Sequence, residues 1–377
     1  MKKTSALICA YLWTIFLCLS INAQDFKTVQ DGIEYAELTR EIDKTPVKMN
    51  LLRLDLTKVR LDVVHAMDAA IGTETVSSMA KRHGAIAAIN AGFFRLDKSI
   101  FAGDAAGVLM IDGKLLSESR NDRTALLISN DSDLTRVAIH KLKSEILPET
   151  KKGYVTAVTG INRERGEEDF IIYTPSFHRT TLTNDKGIEV IIRKNKIVQI
   201  YREKGSNLIP PDGYVISLSG KYVKDFNLKT GAKFKYDEGG LFSRVTNEKN
   251  PDDKFFNEDI TNGVPQLIKD GKINITWEQE KESREFVETK HPRTAVAKLK
   301  DGKFLMITVD GRSESSGGIG LEDLAKLLLE FGATDAMNLD GGGSTTMFLG
   351  GKVVNRPSDK EGERKVGDAI LVFPRKK

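Results

Sequence analysis

The chain has 377 residues, a formal net charge of +4 and two cysteines. That length allows a large buried core without covalent staples. Charges of both signs are spread along the chain, and the one basic cluster is the terminal "PRKK". A nucleic-acid surface needs a basic stripe with interleaved aromatics, so that class of partner is excluded.

Lys2 and Lys3 precede an apolar run from Ala6 to Leu19, and "SINAQ" offers the small Ala23 as a cleavage point. This order is that of a secretory signal peptide, and the run is short for a membrane span. The sequence predicts a signal peptide over 1–23, an exported chain (periplasmic or extracellular), and no membrane span after cleavage. An uncleaved N-terminal anchor is the other reading. Cys9 and Cys18 both fall inside this segment. The mature chain then has no thiol for a disulfide, a nucleophile or a metal site.

After this segment the pattern is mostly that of strands. "KMNLLRLDLTKVRLDVVHAM" alternates apolar and polar residues and reads as two strands with a turn near Thr57 and Lys58. "TETVSSMAKRH" reads as a short helix capped by Thr73 and ended by Gly84. "AIAAIN" is a buried strand running into Asn90. "GVLMIDGKLL" and the region of "KVVN" look like hairpins on DG and GG turns. "RTALLIS", "RVAIHKL", "DFIIYTP" and "IEVIIRKNKIVQIY" continue the strands. "NEKNPDDKFFNED" reads as a charged surface excursion. "TAVAKLKDGKFLMITVDG" is a hairpin whose second strand ends at Asp310. "GLEDLAKLLLEFG" is the clearest helix, with Leu321, Leu324, Ala325, Leu328 and Phe331 on one face and Gly332 as its stop. The strand "DAMNL" follows and leads to Asp340. The expected class is α+β, a mostly mixed or antiparallel sheet core with a few helices packed on it.

The candidate site lies at strand ends. Asp340 closes a strand, and Gly341, Gly342, Gly343 and Ser344 lead to the next. Glycines let successive N–H groups face one point as an anion-binding nest, and they admit a ligand to the backbone. A plain hairpin turn, with Asp340 making local backbone bonds, is the other reading of the same residues. Asp310 also ends an apolar strand with glycine next. Two such acids are expected to meet at one sheet edge, on neighbouring strands about 4.8 Å apart. Arg293, Arg312, Glu314 and Asn90 stand at nearby strand ends. Carboxylates, guanidinium groups and a glycine nest suit an anionic, polar substrate. Among the histidines, His65, His83 and His140 read as structural, and His178 in "TPSFHRTT" is placed near the site. No HExxH, P-loop, calcium-loop or GxSxG pattern is present.

These residues resemble the phosphodiester glycosidase family. The resemblance is carried by "INAGFF", "GINRERGEEDFIIYTPSFHRTT", "DGYVISLSGK", "NGVPQLIKDGK", "HPRTAVAK", "VDGRSES" and "LLLEFGATDAMNLDGGGSTTM", from about Gly84 to Val372. It implies a catalytic domain over 73–377 and an accessory β-rich region over 24–72. It implies hydrolysis of a sugar-1-phosphodiester, with N-acetylglucosamine as the sugar in the family's best-known reaction. It points to Asn90, Arg293, Asp310, Glu314, Asp340 and the Gly341–Ser344 loop. The chain departs from the family pattern at His178 and at Asn262-Gly263, where glycine and a Gly-Gly pair are usual.

The expected reaction breaks the anomeric C–O bond and releases a phosphomonoester, whose second pKa is near 6. Such a leaving group needs its charge neutralised more than it needs a proton. Arg293 and the glycine amides are assigned to the phosphate. Asp310 or Asp340 is the nucleophile or base, with Glu314 as helper. No cofactor is required in this reading. Two rivals stand beside it: a metal-dependent phosphodiesterase holding a divalent cation on Asp310, Asp340 and Glu314, and a glycan-binding protein without turnover.

Overall fold

The computed structural model describes residues 26–150, 153–154, 158–236, 241–244 and 258–375. The expected signal peptide, both cysteines and most of the charged excursion lie outside these residues.

Antiparallel sheets dominate; among the described strand pairs only Gly160–Ile161 with Phe170–Tyr173 is parallel. The largest sheet has eight strands. Its middle runs in the order Ile33–Ile42, Thr45–Leu54, Phe304–Val309, Arg293–Leu299, Ala333–Asn338 and Gln266–Lys269. Phe304–Val309 is buried throughout, and apolar at every position but Thr308, because both its faces are covered. Phe304 and Met306 enter a core shared with a second sheet, while Leu305, Ile307 and Val309 pack toward the helix Leu321–Glu330. That helix buries Leu321, Leu324, Ala325 and Leu328, the face expected from its period.

The second sheet, of five strands, includes Met347–Leu349, Ala87–Asn90, Asp368–Pro374 and Val59–His65 in that spatial order. Helix Val76–His83 covers its far face with Val76, Met79 and Ala80. The helix is capped by Thr75, whose hydroxyl accepts from the Ser78 N–H, and not by Thr73. Glu74–Thr75 is drawn into a strand with Lys365–Val366, which moves the helix start two residues on. Gly84 ends the helix at φ +70°, as expected.

Two further sheets, of six and five strands, enclose a separate core that includes Ala125, Leu127, Ile172, Val190 and Ile216. The sheet-rich core was legible in the sequence. Two short helices, Lys221–Asp225 and Arg284–Glu288, were not. At five residues each they are below the length at which an apolar period shows.

The segment expected to be accessory supplies Thr45–Leu54 to the middle of the eight-stranded sheet, hydrogen-bonded along Phe304–Val309. It also supplies Val59–His65 to the five-stranded sheet, along Asp368–Pro374. The strands leading to Asp310 and Asp340 are not neighbours. Arg293–Leu299 lies between them. The two acids therefore stand about two strand spacings apart, roughly 10 Å, with Arg293 at the end of the strand between.

Candidate active site

Asn90 holds the centre of this strand-end cluster. It is fully buried, and its Nδ2 donates to the Asp340 carbonyl at 2.6 Å. Its Oδ1 accepts from Thr294 Oγ1 at 2.8 Å and from the Thr346 N–H at 3.1 Å. Every polar atom of the side chain is thus used in tying both sheets to the glycine turn. Asn90 shapes the site, and the second N–H of its Nδ2 has no acceptor among the described residues. Asn90→Ala strands a hydroxyl and an N–H in the interior. We expect a loss of about 2–4 kcal/mol, read as a lower urea midpoint at unchanged slope.

The glycine turn is a single 3-10 turn over Gly342–Ser344. Gly341 N–H donates to Asp340 Oδ1 at 2.9 Å, and Gly342 N–H to the Pro292 carbonyl at 2.9 Å. Only the Gly343 amide lacks an acceptor among the described residues, so the expected three-amide nest narrows to one donor. The glycines themselves are required by close approach. A Cβ on Gly341 would lie 2.8 Å from the Pro292 carbonyl oxygen, and one on Gly343 would collide with Arg364 and Asp359. Ser344 is buried and its hydroxyl has no hydrogen-bond partner of normal geometry. It nonetheless favours the ionised form of Asp340.

Asp340 is half-buried. Desolvation pushes its carboxyl up to about 6, opposed by Ser344, the Gly341 N–H and Arg364. The acidic neighbour that raises it is Asp368. Asp368 is buried at the start of its strand, with Oδ1 accepting from Gly92 N–H at 2.8 Å and Oδ2 from Thr261 Oγ1 at 2.6 Å. Burial raises it to about 6 as well.

Asp310 is 2% exposed. Its Oδ1 accepts from the Arg356 N–H at 3.1 Å and from Asn355 Nδ2 at 3.3 Å. Burial raises its pKa, while these two groups and the charges of Lys48 and Arg356 hold it down.

Arg293 is 2% exposed, and among the described residues it bonds to carbonyls and to no carboxylate. Its Nη2 donates to the carbonyls of Phe286 and Thr289 at 2.6 and 2.9 Å, and its Nε to that of Ile319 at 3.3 Å. Its guanidinium carbon sits 4.9 Å from the Phe286 ring centroid. Nη1 has no partner among the described residues. Burial, then the charge of Arg312, brings the group down to about 10, still cationic at neutral pH.

Arg312 is exposed, held in the left-handed region at φ +58°, with a long 3.4 Å contact from Nη1 to Ser358 Oγ. Its Nη2 would lie 3.1 Å from a Cβ on Gly342, so it stands over the turn. Glu314 is exposed on the same loop. His178 is elsewhere. It is exposed beside a cavity of about 910 Å³, lined also by Arg179, Arg193, Tyr201 and Lys204, to which none of the strand-end residues contributes.

The loop after Asn355 was missed. Asn355 and Arg356 hold Asp310, while Arg364, paired with Asp359 at 2.7 Å, covers Gly343. Its sequence, "NRPSDKEGER", reads as an ordinary charged turn. His291 was missed too, although it lies in "HPRTA". It is half-buried, its Nδ1 is unpartnered, and burial with Arg293 and Arg312 lowers its pKa. Asp368 carried a usable signal, an acid beside glycine at the edge of an apolar run. Among the described residues no three His, Cys, Asp or Glu side chains converge as metal ligands.

Parts of the chain are similar to known proteins. Residues 186–373 match the phosphodiester glycosidase family. The chain is 39% identical over 110 residues to the SPbeta prophage-derived uncharacterized protein YomE of Bacillus subtilis, covering 28% of this chain and 16% of that protein. It is 38% identical over 109 residues to the N-acetylglucosamine-1-phosphodiester alpha-N-acetylglucosaminidase of Bos taurus, covering 26% of this chain and 20% of that protein. These matches span no more than 20% of the relatives' own length. A solved structure of a hypothetical protein from Synechocystis shares the fold, with a TM-score of 0.79 at 22% identity over 92% of this chain and 63% of that one. The matched segment contains Arg293, Asp310, Arg312, Glu314, Asp340 and the glycine turn, and over residues 186–373 the chain is a member of the phosphodiester glycosidase family.

Proposed function

We propose that this chain hydrolyses a sugar-1-phosphodiester at the anomeric C1–O bond, with a GlcNAc-1-phosphate diester as the first substrate to try. The observation that supports this best is Arg293. A buried guanidinium without a carboxylate is costly, and here a second guanidinium, Arg312, raises that cost. An anion seated between Nη1 of Arg293, Arg312, the free Gly343 amide and the Ser344 hydroxyl would relieve both charges.

In the proposed step water, or first Asp340, bonds to C1. The C1–O bond breaks with its electron pair leaving on the phosphate oxygen. Asp340 takes the water proton when it acts as base. Asp310, whose charged form its N–H donors favour against burial, faces the positive charge that develops on the sugar ring. The arginines and the amide neutralise the departing phosphomonoester. No cation is required in this reading. The signal-like N-terminal segment suits an exported enzyme.

Turnover in oxygen-18 water, followed by mass spectrometry, tests the bond that breaks. Label in the free sugar is the expected result. Label in the phosphate would mean P–O cleavage and would remove the glycosidase reading.

A further inference from the structure

Asp310 is held from a direction that the family match does not cover. It continues the ladder one step beyond the Val309–Met49 pair and so stands opposite Lys48. Its N–H donates to the Lys48 carbonyl at 2.9 Å. Ser316 closes a loop around that bond. The Ser316 hydroxyl donates to the Asp310 carbonyl at 2.6 Å and accepts from the Lys48 N–H at 3.0 Å. Residues directly opposite in an antiparallel pair project to the same face, with Cβ atoms about 5 Å apart. Lys48 is thereby set on the Asp310 face, and its ammonium pairs with Glu37, at 2.6 Å on the next strand, so it reaches Asp310 through its field and not through an ion pair. Two residues along the same face, Tyr35 Oη donates to Asn50 Oδ1 at 2.6 Å.

We propose that Lys48 is a positioning residue for the site carboxylate Asp310, and that Glu37 sets how much of the lysine's charge Asp310 receives. The strands outside the matched segment then form part of the catalytic centre. The charged and titratable groups around Asp310 are Lys48 on the adjacent strand, Glu37 and Tyr35 on the strand beyond, Arg356 on the opposing loop, and Arg312 and Glu314 on the loop that Asp310 begins. The electrostatics agree in direction. Lys48 and Arg356 lower the Asp310 pKa, Glu37 and Asp310 both raise that of Lys48, and burial, Glu37 and Asp310 push Tyr35 up to about 12.

The proposal rests on Asp310 being part of the site read above, and its test does not need turnover. The full chain is labelled with carboxyl carbon-13 aspartate and titrated by NMR, the Asp310 signal being identified by its loss in Asp310→Asn. Lys48→Met should move the Asp310 midpoint up by about half a pH unit. Glu37→Gln should move it down by a similar amount, and Lys48→Arg should leave it in place. Both side chains are more than a third exposed, so the variants fold. A packing defect would move both midpoints the same way; an electrostatic effect moves them in opposite directions. Shifts of one sign, or no shift above about 0.1 in either variant, overturn the proposal. If the chain cleaves no sugar phosphodiester the shifts still appear, and only the functional reading falls. If it does cleave one and the shifts are absent, only this inference falls.

Discussion

Arg293→Lys lowers kcat/KM on a GlcNAc-1-phosphate diester by about 100- to 1,000-fold and leaves a folded protein. The reason is geometric. Nε and Nη2 of Arg293 are spent on three carbonyls, those of Ile319, Phe286 and Thr289, while Nη1 stays free. A lysine ammonium keeps the charge but is a single point. It can satisfy the carbonyls or meet the phosphate, and cannot hold both in fixed directions. Because the carbonyls keep a cationic donor, stability should fall by only about 1–2 kcal/mol. Inhibition by inorganic phosphate should weaken in parallel with activity. A variant that keeps wild-type kcat/KM would show that Arg293 is a structural cation and would remove the main support for the phosphate site.

Asp340→Asn should cost about a thousandfold or more in kcat, and its effect on stability should run the other way. The Asp340 carboxyl titrates at about 6 in the fold, against about 3.9 in an unfolded chain. A raised pKa means that the folded state binds the proton more tightly. The stability that comes from it is complete below about pH 4 and is lost as pH rises through about 6. Activity needs the ionised form, so the wild-type rate should rise across the interval in which stability falls. The carboxamide of the variant stays neutral throughout. The variant should match wild type in stability near pH 4 and exceed it near pH 8 by about 1–2 kcal/mol once partial solvent screening is allowed for, read as a higher Tm at pH 8 only. A Tm difference that does not change with pH would mean that Asp340 is not the group titrating there.

The expected fall in stability between about pH 4 and about pH 6 has a source in the site's construction. Asp340 is packed near a second carboxylate, Asp368, and both are desolvated. Asp368 uses both oxygens to hold Gly92 and Thr261, so it fixes the turn into the Phe93 loop. The sequence reading reached Asp310 and Asp340 because each follows an apolar strand and precedes a glycine. Asp368 has the mirror arrangement, with Gly367 before it and an apolar strand after it.

Local order was determined by the sequence itself. The alternation in Lys48–Met67, the DG and GG hairpin turns, the face of the Leu321–Glu330 helix and its stop at Gly332 all depend on side-chain period and on φ preferences. So did the roster of chemical groups at strand ends, since a polar residue that closes a buried strand has few structural uses. Tertiary structure alone decided which groups meet. It placed Arg293–Leu299 between the strands of the two aspartates, which separated them and set a guanidinium between. It used two of the three glycine amides inside the protein, sent His178 to another surface, and brought Lys48, Asn355 and Arg364 to the site from distant parts of the chain. Strand order and loop contacts are long-range choices. They are settled by how the sheets pack on their shared core, and no local period records them.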